Sequence, residues 1–128
     1  MTQEDKELLL KDLCARLPYE VKVQDTCYTS LKPTTPWLVD TYSYEVRLYA
    51  DENWQSIENI KPYLRPMSSM TDEELEECRA TCKNRPVGGS VLDYATIETF
   101  DWLNTHQFNY RLPSRLFIEV TEENNPYK

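Results

Sequence analysis

Hydrophobic residues near the N-terminus recur at three- and four-residue spacing, which is typical of an amphipathic helix. The stripe comprises Leu9, Leu10, Leu13, Cys14 and Leu17. Thr2 precedes it, and Asp5 stands where an N-cap threonine favours an acid at the third helical position. Pro18 cannot continue a helix, so the pattern predicts one N-terminal helix that stops there.

Three later stretches alternate between apolar and polar residues, as strands with one buried face do. The first is YEVKVQ at 19–24, and the last is LFIEVT at 116–121. Between them, TYSYEVRLYA at 41–50 is the clearest strand. Its alternation would place on one face Tyr42, Tyr44, Val46 and Leu48. The prolines of 29–37 predict a loop, and 56–60 is either a short strand or a helical turn.

A second helix is predicted where a block of acids follows a cationic segment. With Thr71 as N-cap, Glu74 at the third helical position completes a capping box, and Met70 and Leu75 form a hydrophobic staple. The acids also complement the positive end of the helix dipole, so they are structural and not a site. This helix should end near Asn84.

A third helix is predicted by TIETFDWLNTHQF at 96–108, whereas 90–95 is ambiguous between strand and helix. At 128 residues the chain fits one domain. We therefore expect a single α+β domain over 1–128. It would have an N-terminal helix, a small antiparallel sheet that includes the last strand, and two further helices packed against one face. The polar residues at 124–128 should fray.

The net charge of −8 argues against direct nucleic-acid binding, because phosphates are neutralised by lysine and arginine. Acids open the N-terminus and the apolar run LLL is too short for a secretory signal, and no stretch is long enough to span a membrane. We therefore expect a cytoplasmic protein with reduced thiols.

The scarcity of glycine and histidine excludes most motif-borne chemistry. The two glycines are adjacent, which rules out Walker, dinucleotide-binding and G-x-S-x-G loops. His106 is the only histidine, so H-E-x-x-H and multi-histidine metal sites are also excluded. It could act as a general base oriented by Asp101 or Asp93, or pair with a cysteine, but its position near a helix end has a structural explanation.

The four cysteines are Cys14, Cys27, Cys78 and Cys82. Cys78 and Cys82 are four apart on the second helix, but the other two belong to no close C-x-x-C pair. A four-thiolate zinc site is therefore disfavoured against small packing residues. We expect no metal, no cofactor and no catalytic residue.

One segment carries a candidate binding site. Pro62 and Pro66 hold KPYLRP extended, so Lys61, Tyr63 and Arg65 should point to the same side. Two cations flanking an aromatic ring could anchor an acidic or planar group of a partner. Alternatively, the segment covers a sheet edge, with Tyr63 buried.

Three stretches, KPYLRPMSSMTDEE, FDWLNTHQFNYR and IEVTEENNPYK, resemble a group of short uncharacterised proteins from Bacteroides-type gut bacteria and their prophages and mobile elements. The similarity covers roughly the last half of the chain and LPYEVKVQ. That group has no assigned activity, so the resemblance implies no site. It implies a cytosolic accessory protein carried by a phage or mobile element.

The abundance of tyrosine and tryptophan and the absence of catalytic motifs favour a non-catalytic accessory protein that binds another protein. Two alternatives stay open. One is an acidic inhibitor that mimics nucleic acid and occupies a nucleic-acid-binding groove, and the other is a small enzyme that uses His106 or a cysteine. Clustered exposed aromatics would favour the first function, and a continuous acidic ridge would favour the mimic.

Overall fold

Three helices and two small sheets make up the part of the chain that the computed structural model describes, residues 1–26, 33–48, 54–83 and 91–127. The helices are α1 (Gln3–Arg16), α2 (Asp72–Thr81) and α3 (Ile97–Thr105). The strands are β1 (Val23–Asp25), β2 (Pro36–Asp40), β3 (Glu45–Leu48), β4 (Trp54–Ser56), β5 (Ile60–Pro66), β6 (Phe108–Asn109) and β7 (Ile118–Glu119). The predicted α+β class is confirmed.

The helix starts agree with the sequence because they depend on local hydrogen bonds. Thr2 caps α1 and Thr71 caps α2, each in a reciprocal capping box with the residue three positions later. The N-cap of α3 is Thr96, which exchanges hydrogen bonds with Thr99. The end of α2 falls at Thr81, before the predicted Asn84, which lies outside the described residues. The ambiguous 90–95 segment contains a 3-10 turn at Val91–Tyr94.

The first sheet is built around β5. Strand β1 pairs antiparallel with β5, as Val23 opposes Pro62, but β6 and β7 both pair parallel with it. The prediction that the last strand joins an antiparallel sheet was therefore wrong. Helices α2 and α3 lie between β5 and its later partners, and such a long crossover can return the chain in the same direction.

The second sheet is an antiparallel meander in the order β2-β3-β4. Two sequence predictions were wrong here. Strand β2 begins inside the segment 29–37 that was predicted to be a loop, and residues 41–44, predicted to begin the clearest strand, form a turn. The Asp40 carboxylate accepts hydrogen bonds from the backbone N–H groups of Tyr42 (2.9 Å) and Ser43 (3.2 Å). This side-chain turn ends β2 and separates the tyrosines from the alternation of β3.

Two hydrophobic clusters hold these elements together. The first lies between α1 and the inner faces of both sheets, with Leu9, Leu13 and Val46 fully buried. The second joins α2, α3 and β6 through Cys78, Leu103 and other buried residues. Helices α2 and α3 pack on one another through this second cluster.

A buried ion pair connects α1 with β6. Asp12 and Arg16, both fully buried, form an ion pair of 2.9 Å, and Arg16 also donates to the backbone carbonyl of Phe108. The hydrophobic pattern placed only leucines and Cys14 on the inner side of α1. A charged pair can join them because each charge finds its partner one helical turn away.

The C-terminal segment is attached to the first sheet by Tyr127. Its hydroxyl accepts a hydrogen bond from the Lys22 N–H (3.0 Å) and donates to the Tyr63 carbonyl (2.7 Å). Tyr63 N–H bonds to the Lys22 carbonyl, so the hydroxyl bridges the remaining two backbone groups of that pair. The tail was predicted to fray over 124–128, but it is held in place as far as Tyr127. The Tyr127 side chain holds it by bridging the backbone groups of Lys22 and Tyr63.

Candidate functional site

The three residues of the predicted strip lie on β5, at the centre of the first sheet. Their alternation is as predicted, but Tyr63 is only 9% exposed. Its hydroxyl donates to the side-chain oxygen of Gln24 at 3.1 Å. The ring is therefore part of the sheet packing and offers little surface to a partner.

Arg65 is engaged by two other parts of the fold. Its guanidinium makes two hydrogen bonds of 2.7 and 2.8 Å to the Glu74 carboxylate, and it lies 4.1 Å from the centre of the Phe108 ring. This hydrogen-bonded guanidinium is the main reason why the pKa of Glu74 is lowered to about 2. Because Glu74 also completes the cap of α2, Arg65 attaches the start of α2 to β5.

Lys61 is half-buried, and its side chain makes no hydrogen bond or ion pair within the described part of the chain. Of the strip, it is therefore the residue whose charge is still available. A partner site at Lys61, Tyr63 and Arg65 stays a prediction, but two of its three side chains already have structural contacts.

An open cleft of about 350 Å³ lies beside Arg65. Its lining includes His106, which ends α3. The His106 ring stacks on Trp102 at 4.0 Å, and its Nδ1 donates to the Trp102 carbonyl at 2.8 Å, because a carbonyl only accepts. One of the two acids proposed to orient it, Asp101, instead accepts a hydrogen bond of 2.6 Å from the Tyr19 hydroxyl. The contacts of His106 therefore match a helix-end residue.

The described cysteines are buried or half-buried packing residues. Cys78 and Cys82 lie in the second cluster, and burial raises the pKa of Cys78 to about 11, which keeps the unreactive thiol form. Cys14 is half-buried on α1, and Cys27 lies outside the described residues. Within the described ranges, no three metal-ligating side chains are grouped together.

The outer face of the second sheet carries large exposed apolar side chains. Trp37 is 56% exposed and Trp54 is 41% exposed. The register shifts between Pro36 and Leu38, so Trp37 is the extra residue of a β-bulge. As a result, Trp37 and Leu38 are both exposed although they are consecutive.

Arg47 lies between these side chains. It is directly opposite Leu38 on one neighbouring strand and Trp54 on the other, so the three share one face. Its guanidinium carbon is 5.3 Å from the centre of the Trp37 ring, within cation–π range. We call this surface, formed by Trp37, Leu38, Arg47 and Trp54, the aromatic face.

Sequence reasoning missed the aromatic face because it assigned residues 29–37 to a loop and placed Tyr42 on the same strand face as Val46 and Leu48. Tyr42 is instead 94% exposed, in the turn that ends β2. The alternation that marks a half-buried strand is interrupted by the bulge at Trp37. The feature of the sequence that could have indicated strand β2 is the apolar run PWLV directly before Asp40.

No family model, curated protein or solved structure matches this chain. Among the residues described, no helix combines the length and apolarity needed to cross a membrane.

Proposed function

We propose that this chain is a non-catalytic accessory protein of the cytosol that acts by binding another protein through the aromatic face. The observation that carries the proposal is the bulge, which exposes Trp37 and Leu38 beside Trp54 and Arg47. Tryptophan, tyrosine and arginine are the residues that most often dominate binding energy at protein interfaces. A guanidinium within cation–π distance of an indole adds a positive charge to that apolar surface.

The aromatic face is also backed by a rigid support. On the opposite side of β3, Val46 and Leu48 are buried in the first cluster. A contact surface on a packed sheet loses less conformational entropy on binding than one on a loop. Two tryptophans on such a sheet therefore favour binding over the alternative of catalysis at His106.

Capture from lysate of the native host, followed by mass spectrometry, tests the proposal. Bait carrying Trp37→Ser and Trp54→Ser should lose the proteins that the unaltered chain retains, while circular dichroism shows an unchanged fold. The matched control is Ile97→Ser, because Ile97 is a hydrophobic residue on α3 that is also strongly exposed. Retention of the same proteins by the tryptophan variant would contradict the proposal, and their loss from Lys61→Ser would relocate the contact to β5.

A further inference from the structure

The aromatic face is bordered by two acids on the same side of the sheet. Asp40 and Glu45 are directly opposite one another on β2 and β3, two positions along from the row that contains Arg47. Side chains two positions apart on a strand point to the same face. The outer surface therefore has an aromatic, cationic end and an acidic end about 7 Å apart.

The acidic end has no cation paired with it among the described residues. Like charges directly opposite in a sheet repel one another. Asp40 uses its carboxylate in the turn, where hydrogen bonds from Tyr42 and Ser43 keep its pKa below the usual value and the group ionised. The Glu45 carboxylate makes no hydrogen bond or ion pair in the described ranges. The pair therefore favours an occupant that brings a cation to this position.

We infer that the occupant of this face is a second copy of the chain, docked face to face with its strands reversed. The inference rests on the proposed function, because it uses the same surface. Arg47 and Glu45 lie one residue on either side of Val46 on β3. A two-fold axis that passes over Val46, parallel to the sheet and perpendicular to the strands, therefore places each Arg47 over Glu45 of the other copy.

The same rotation brings a large side chain onto a small one on β4, and on β2 it sets Leu38 of one copy over Asp40 of the other. On β4, Trp54 and Ser56 lie on either side of Gln55, so the indole of one copy faces the serine of the other. Every contact occurs twice, as an isologous two-fold interface requires. Strands β3 and β4 thus carry both halves of a complementary contact, whereas a different partner would have to supply its own cation and its own recess.

The area offered by three short strands is small, so we expect a weak dimer whose population rises from micromolar to near-millimolar concentration. Sedimentation equilibrium of the full chain should show the mass increasing from 15.2 kDa toward twice that value. Arg47→Glu and Glu45→Arg should each weaken dimerisation by roughly tenfold or more, because each places like charges together across the interface.

Mixing the two variants gives the decisive measurement. In a mixed pair, the glutamate introduced at position 47 of one copy meets the arginine introduced at position 45 of the other, and the remaining Arg47 meets the remaining Glu45. Equimolar Arg47→Glu and Glu45→Arg chains should therefore form a heterodimer at concentrations where each alone is monomeric. The double variant Arg47→Glu with Glu45→Arg should dimerise on its own.

Other outcomes separate this inference from the proposed function. A monomeric wild-type chain that still loses its captured proteins when both tryptophans are replaced would overturn the dimer and support a different protein as partner. A dimer that persists in the Trp37→Ser, Trp54→Ser variant would overturn the dimer at this face. Failure of the mixed variants to pair, with both shown to be folded by circular dichroism, would also overturn it.

Discussion

The strip on β5 and the aromatic face on β2 to β4 each combine a cation and an aromatic ring on a strand, and they differ in what the rest of the chain packs against them. On β5 the neighbours are already in place: Gln24 binds the Tyr63 hydroxyl, and Glu74 holds Arg65. On the second sheet, Arg47 stacks on Trp37, and both tryptophans are exposed. A cation and an aromatic ring on a strand are therefore accessible to a partner only where one face of that strand is uncovered.

The largest expected effect is on stability, and it should distinguish Arg65 from Lys61, the two cations of the strip. Arg65→Ser should destabilise the fold by about 2–3 kcal/mol, because it leaves Glu74 without its partner and removes the contact with Phe108. Lys61→Ser should change stability by less than about 0.5 kcal/mol, because its charge has no partner among the described residues. Urea denaturation of both variants measures the difference, and equal losses would mean that Arg65 does not attach α2 to β5.

A smaller effect is expected where the tail completes the first sheet. Tyr127→Phe should cost about 1–2 kcal/mol, since it leaves the Lys22 N–H and the Tyr63 carbonyl without their partner. Burial is the main reason why the pKa of Tyr127 is raised to about 12, so the hydroxyl stays protonated at neutral pH. Tyr42→Phe is the matched control, because Tyr42 is exposed, and it should be neutral in thermal unfolding.

The smallest expected effect is a dependence of stability on acid. The pKa of Glu74 is about 2 in the fold against an ordinary 4.5, so the unfolded chain binds the proton more readily. The stabilisation is therefore complete above pH 4.5 and is lost as the pH falls toward 2. Because both side chains are partly exposed, we expect a loss of about 1 kcal/mol at about pH 3.

The Glu74→Gln variant separates the contribution of Glu74 to the pH dependence of stability from that of other acids. Asp5 is one such acid, because Arg115 lowers its pKa. The unfolding free energy of the Glu74→Gln variant should fall less steeply between pH 4.5 and pH 2 than that of the unaltered chain. Parallel pH profiles for the two proteins would show that the ion pair on β5 contributes nothing in solution. The Arg65 guanidinium would then be free to meet a partner, and the contrast between the two regions would be lost.

The sequence by itself determined the features that depend on neighbours along the chain. The caps at Thr2 and Thr71 require only a hydroxyl and an acid three residues later, and both were predicted correctly. The burial of Val21, Val23, Val46 and Leu48 follows from their apolar character within short alternating runs. The α+β class follows from the same local patterns.

Only the tertiary structure decided which strands pair and what each face meets. The parallel pairing of β7, the hydrogen bond from Arg16 to the Phe108 carbonyl and the Tyr127 bridge all join residues that are far apart in the sequence. The bulge that exposes Trp37 depends on how β2 pairs with β3, so alternation along the sequence could not show it. The burial of Tyr63 likewise depends on the residues that the fold places against β5. Side-chain chemistry is local, but its availability to a partner depends on what the rest of the chain places against it.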